Sequence, residues 1–172
     1  MKRILTGFII LSLACSTVLH AQESSSLNGK KILFTYGGWP GHEPIKCLEL
    51  LKPWMEEQGA RVDTFTSLEI YTDEEYMKNV DLVVQIHTMS SITNEQEKGL
   101  LQAVKNGTGI AGWHGGLCDA FRQNVEYQFM TGGQWVAHPG GVIEQYDVKI
   151  TDQSDVVTAG IGDFTMKETE QY

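Results

Sequence analysis

Beyond residue 29 the chain alternates between two kinds of apolar spacing. Lys31 to Tyr36 (KILFTY) is an almost unbroken apolar run that ends in Gly37 and Gly38, the pattern of a buried strand. Ile45, Leu48, Leu51 and Met55 then recur at helical spacing, with Pro44 in the first turn and Gly59 as the stop. Arg61 to Phe65 predicts a second short strand and Asp81 to Ile86 (DLVVQI) a third, with Thr72 and Glu75 between them resembling a capping box for a brief helical turn. Thr93 and Gln96 form another such box, opening a helix that turns Leu100, Leu101 and Val104 inward and ends at Gly107. Gly109 to Trp113 is a fourth strand. Strands that alternate with helices, each apolar nearly throughout, predict right-handed crossovers and a mostly parallel sheet covered on both faces. The expected fold is therefore an α/β, flavodoxin-like three-layer sandwich. Beyond Gly116 the pattern becomes irregular and glycine-rich, through Thr131-Gly132-Gly133 and Pro139-Gly140-Gly141, before alternation from Val142 to Ile150 predicts one added strand. No internal repeat and no second domain is visible.

The N-terminus is patterned differently. Lys2 and Arg3 precede an apolar run from Ile4 to Ala14, and small and polar residues lead to Leu19-His20-Ala21. A charged, an apolar and a cleavage region in that order read as a signal peptide over residues 1–21, leaving Gln22 first. The expected location is periplasmic or secreted. Cleavage before Cys15, as in a lipoprotein, is the rival reading, but Ser12 stands where a bulky aliphatic residue is usual. Residues 22–29 form a Ser-rich linker and 30–172 the folded domain. No later uncharged stretch reaches the roughly 18 residues of a membrane-spanning helix, so no transmembrane segment is expected after cleavage.

Composition narrows the partner. The chain of 172 residues is 41% hydrophobic and carries 13 Lys+Arg against 22 Asp+Glu, a formal net charge of −9, with no basic run. A nucleic-acid groove is a poor fit to that balance. A small neutral molecule or another protein fits better, and a homo-oligomer stays open. Three cysteines with no CxxC spacing make neither a disulfide scaffold nor a zinc finger. Cys47 and Cys118 read as buried thiols, and their pairing is left open.

Histidines mark where chemistry would sit. In an open parallel sheet, ligands collect at the carboxyl ends of the strands. His42 lies just beyond the first strand, His87 ends the third and His114 ends the fourth, while His138 falls in the glycine-rich stretch. Any one of them alone is better explained by packing or surface exposure than by function. The sharpest local motif is Gly112-Trp113-His114-Gly115-Gly116, a strand running into the tight turn that exposes a nucleophile in hydrolases. Here the exposed residue is histidine, which serves as general acid or base, or as a metal ligand, but seldom as an acyl nucleophile. Cys118 lies past the turn. His42, His114 and His138 are the candidate ligands should a divalent metal such as zinc be bound, although no HxH or HExxH spacing is present.

The order of these motifs is similar to one family. GGWPGHE after the first strand, GWHGG after the fourth, the Glu126-Tyr127 step, GGQWVAHPGG and the terminal Glu168-Thr169-Glu170-Gln171-Tyr172 resemble the trehalose-utilisation (ThuA-like) family over nearly the whole chain beyond the leader. The resemblance implies a fold similar to class I glutamine amidotransferases and a role in sugar metabolism. It further implies His42, His114, His138 and Glu170 as the polar, catalytic lining of a pocket, with Trp39, Trp113, Tyr127 and Trp135 as substrate-binding aromatics. Aromatic faces with a few polar groups suit a carbohydrate. Two departures stand out. Asp155-Val156-Val157 replaces a His-Pro-Ile-like or Asp-Pro-Ile-like step, and the chain stops soon after its acidic Glu-Gln-Tyr motif, where the family continues, so the domain is expected to be truncated at its C-terminus. The leading expectation is an exported enzyme acting on a sugar, glycoside or keto-sugar. A non-catalytic carbohydrate-binding module is the alternative, and glutamine amidotransferase activity is not expected, because the turn carries His114 rather than a thiol.

Overall fold

Alternation along the first strand decides the layers of the computed structural model, which describes residues 26 to 171. On β1 (Lys31–Gly38), Ile32 and Phe34 join a cluster with Met55, Val62, Val84 and Ile86, whereas Leu33 joins Tyr71, Val83, Leu100 and Phe121 on the opposite face. Ile32, Leu33 and Phe34 are fully buried, and burial of this kind contributes roughly 1.5–3 kcal/mol per side chain. The sheet they anchor has the order β2-β1-β3-β4 and all its strands run parallel. Its other members are β2 (Arg61–Phe65), β3 (Leu82–Thr88) and β4 (Gly109–Gly112). Helix α1 (Pro44–Glu57) covers one face, while the short α2 (Glu74–Met77), α3 (Asn94–Lys105) and α4 (Val125–Thr131) stand on the other. This is the α/β three-layer sandwich that the apolar spacing predicts.

The differences from the sequence reading are local. Asp73, not Thr72, caps α2 by accepting from the Tyr76 amide, because the Thr72 hydroxyl turns back to donate to the Glu69 carbonyl. The box of Thr93 and Gln96 on α3 is present as expected, with each side chain accepting from the other's backbone N–H. Strand β3 runs on to Thr88, so His87 lies inside it and keeps only 4% of its surface. Strand β4 alternates between partly buried and exposed residues, as suits an edge strand, and releases the chain before Trp113. Cys118, expected to be buried, is exposed, because it follows a 3₁₀ turn at His114–Gly116 rather than an element of the core. Both described cysteines are free thiols.

The added strand does not extend the parallel sheet. Strand β5 (Val142–Val148) instead pairs antiparallel with β6 (Phe164–Glu170), in a register that sets Val142 opposite Glu170. The sequence FTMKETE hides β6, since its charges break the apolar alternation that would announce a strand. At the other end, residues 26–29 of the expected linker form a turn in which the Gly29 amide donates to the Gly59 carbonyl at 2.9 Å. The leader with its Cys15 lies outside the described residues.

Candidate functional site

Positive backbone φ angles gather at the carboxyl end of the sheet. Glu43 (φ 48) ends the loop after β1, Met89 (φ 51) follows β3 and His114 (φ 51) stands just past β4. Each left-handed residue that is not glycine costs on the order of 1–3 kcal/mol and persists where the surroundings demand it. At His114 the strain lifts the imidazole off the end of the strand, the turn expected from Gly112 to Gly116.

Its glycines have a second role beyond turning the chain. A Cβ at Gly115 would lie 2.9 Å from His42 Cε1 and 2.9 Å from Thr88 Cγ2. The bare backbone thus leaves room for His42 to pack beside β3 and β4. There the His42 Nδ1 and the Thr88 hydroxyl share a 2.8 Å hydrogen bond, and Thr88 keeps 1% of its surface exposed, which fixes the ring. Burial, then the neighbouring His114, holds the His42 imidazole below the ordinary histidine value. The neutral ring is favoured.

The loop and the hairpin complete the cluster. Ring centroids of His42 and His114 are 4.6 Å apart, nearly perpendicular, and those of His114 and His138 are 6.1 Å apart and stacked. Glu170, at the end of β6, sets its Oε2 3.4 Å from His114 Nε2 and 3.4 Å from His138 Nε2. One carboxylate oxygen therefore faces two imidazoles, at a spacing that a small shift would close to hydrogen-bond length. His114 and Glu170 each keep more than a third of their side-chain surface, so a solute can reach them. Glu168, two residues earlier on β6, is exposed and takes a left-handed backbone (φ 48), which leaves its carboxylate solvated.

The aromatic candidates divide. Trp39 packs edge-on against His42 at 4.7 Å and is 46% exposed, while Trp113 is 39% exposed. Trp135 lies 5.2 Å from His138, and its buried Nε1 has no hydrogen-bond partner among the described residues. Tyr127 is a correction. It keeps 1% of its surface, packs on Phe121, accepts from Gln85 Nε2 at 2.6 Å and donates to the Leu117 carbonyl at 2.9 Å. Its position on the inner face of α4 makes it a core residue that no substrate can touch.

Three supports escaped the sequence reading. Thr88 looks like any β-branched strand residue until the fold brings His42 to it. Asp119, 5% exposed, accepts from both Nε and Nη2 of Arg122, whose guanidinium lies 4.4 Å from the Trp135 ring. That chain of contacts ties the loop carrying His138 to the body of the domain. An acidic and a basic residue three apart gave no sign of it, since such pairs are common on any surface.

Acid/base chemistry is what the arrangement can do. Among the described residues no group of three or more His, Cys, Asp or Glu side chains is arranged to hold a metal ion, so the geometry gives no support to His42, His114 and His138 as a ligand trio. An imidazole at the turn, a carboxylate bridging it to a second imidazole, and a third ring kept neutral can accept a proton at one point and deliver one at another.

Comparison with known proteins places this geometry. A solved structure of a ThuA-like protein from Bacteroides uniformis is similar in fold, with a TM-score of 0.67 at 18% identity, over 86% of this chain and 62% of that one. The chain thus spans about 62% of that relative's length. No functionally curated protein matches the chain. The family model described as "Trehalose utilisation" matches residues 31–172, all four strands of the sheet and the hairpin included, and the chain belongs to this ThuA family of carbohydrate metabolism.

Proposed function

We propose that the protein is an exported enzyme that acts on a sugar, a glycoside or a keto-sugar derivative, bound at the carboxyl end of the sheet among His42, His114, His138 and Glu170. One observation carries the reading. The Glu170 oxygen lies 3.4 Å from both His114 and His138, an arrangement that a binding surface alone has little need of. In this reading Glu170 orients the two rings, His114 or His138 takes a proton from a hydroxyl or an acidified C–H of the sugar, and the other returns one to the departing or carbonyl oxygen. His42, fixed by Thr88, stays neutral and supplies a hydrogen bond. Trp39 and Trp113, both exposed, cover the apolar face of the ring.

Acyl transfer from glutamine does not suit the site, since that chemistry needs a thiolate at the turn and the nearest thiol along the chain, Cys118, stands four residues beyond His114. Export rests on the N-terminal pattern of residues 1–21, and mass spectrometry of the secreted protein should find Gln22 first. A diacylated Cys15 would instead mark a lipoprotein. For the activity, the protein is incubated with trehalose, simple glucosides and their keto derivatives while the sugar signals are followed by NMR. Conversion by the wild type, lost in His114→Asn and Glu170→Gln, is the expected result. Saturable binding without conversion would favour the carbohydrate-binding module.

A further inference from the structure

A second feature lies where the strand order turns. The chain passes from β1 outward to β2 and then returns across β1 to β3, so the loops after β1 and β3 separate and leave a crevice at the carboxyl ends of the strands. An open groove of about 770 Å³ lies there, lined among others by Tyr36, Thr66, His87, Ser90 and Ser91. Gly38 and Pro40 form part of its wall, and the residue between them, Trp39, packs on His42. The groove and the histidine cluster therefore flank one loop. Gly38 is needed at that wall: its φ is +76°, and a Cβ would meet the Thr88 carbonyl oxygen at 2.3 Å.

Three properties of the groove select its ligand. His87 is 4% exposed, and its Nε2 has no hydrogen-bond partner among the described residues, an omission that proteins rarely tolerate without use. Burial pushes this imidazole down to about 4, so at neutral pH it carries one donor and one acceptor and no charge. The hydroxyls of Tyr36, Thr66, Ser90 and Ser91 make no hydrogen bond among the described residues. Among the described residues no Lys, Arg, Asp or Glu lines the groove, whereas Ile45, Leu68 and Met89 add apolar surface to it. Anions and cations find no counter-charge there. A neutral polyhydroxylated ring finds hydroxyl partners, a neutral imidazole and an apolar floor.

We propose that this groove is a second sugar-ring subsite, so that the ligand is a neutral disaccharide with one ring at His114 and Glu170 and the other against His87, Ser90 and Ser91. The proposal rests on the sugar reading of the histidine cluster. It is tested by titrating isotope-labelled protein with trehalose and, separately, with glucose, reading backbone amide shifts in the wild type and in Ser91→Trp, which fills the groove from an exposed position. Trehalose should shift the Ser90 and Ser91 amides together with those near His114 and bind at least about tenfold more tightly than glucose. Ser91→Trp should abolish that advantage and leave glucose binding unchanged. If both sugars shift only the amides near His114, or if Ser91→Trp retains the trehalose advantage, the subsite is refuted and the sugar reading survives. If neither sugar shifts any amide of the wild type, the subsite for a neutral disaccharide is refuted, and the sugar reading then stands or falls on the keto derivatives.

Discussion

The four-stranded sheet and the C-terminal hairpin contribute to one cluster but are built on different terms. In the sheet, Ile32, Leu33 and Phe34 have no exposed surface, and both faces carry helices. In the last third of the chain, Val142, Val156 and Phe164 are 66%, 91% and 45% exposed, and among the described residues β5 and β6 pair only with each other. The hairpin nonetheless supplies Glu170, and the loop before it supplies His138. Stability thus resides in one region, whereas much of the site's chemistry comes from the other.

That division gives predictions of graded size. Glu170→Gln should lower turnover about 10²–10⁴-fold, the usual worth of a positioned acid or base, while the urea midpoint stays near that of the wild type. A large loss of stability would place Glu170 in the structural class. Phe34→Ala should cost about 3–5 kcal/mol in urea unfolding, against less than about 0.5 kcal/mol for Phe164→Ala on the exposed strand. Equal costs would erase the contrast between the regions.

His87 gives a pH signature confined to the sheet. Its folded value, about 4, lies below the ordinary histidine value of 6.5, so the unfolded chain binds the proton more readily. The stability associated with this neutral ring is fully present above about pH 6.5 and is lost as the pH falls toward about 4, by roughly 3 kcal/mol. Unfolding of the wild type and of His87→Gln across that window checks it, because the variant should lack this component of the acid sensitivity. A smaller effect than that of His87 concerns Tyr127. Removing its hydroxyl in Tyr127→Phe strips a partner from the buried Gln85 amide and should cost about 1–3 kcal/mol. Sugar binding should be unaltered, since Tyr127 lies in the core.

Much of the sheet was legible because burial on both faces leaves a continuous apolar signal. Strands β1 and β3 carry that signal, Arg61–Phe65 at the sheet edge is read from a shorter mixed pattern, and the glycines around His114 announce the turn. The hairpin was half legible: β5 alternates, but β6 is too charged to be read as a strand, so Glu170 entered only through the family resemblance. Tyr127 was misplaced for the opposite reason. An aromatic residue beside a glutamate suits a sugar site and a core alike, and only the packing of α4 against β3 and α3 decides between them. Thr88 and the link from Asp119 through Arg122 to Trp135 depend on contacts between distant segments, which no local pattern records.

The central claim is that the hairpin's carboxylate works with the imidazoles of the sheet as one unit. It is tested most directly by following every histidine ring by NMR through a pH titration of the wild type and of Glu170→Gln. Burial and His114 already hold His42 low, and the Glu170 charge opposes them. Removing that charge should lower the His42 titration further and shift the ring signals of both His114 and His138, while His87, held low by burial alone and not by Glu170, remains where it was. Unchanged signals for His42, His114 and His138 would mean that Glu170 does not act on the cluster and would contradict the account.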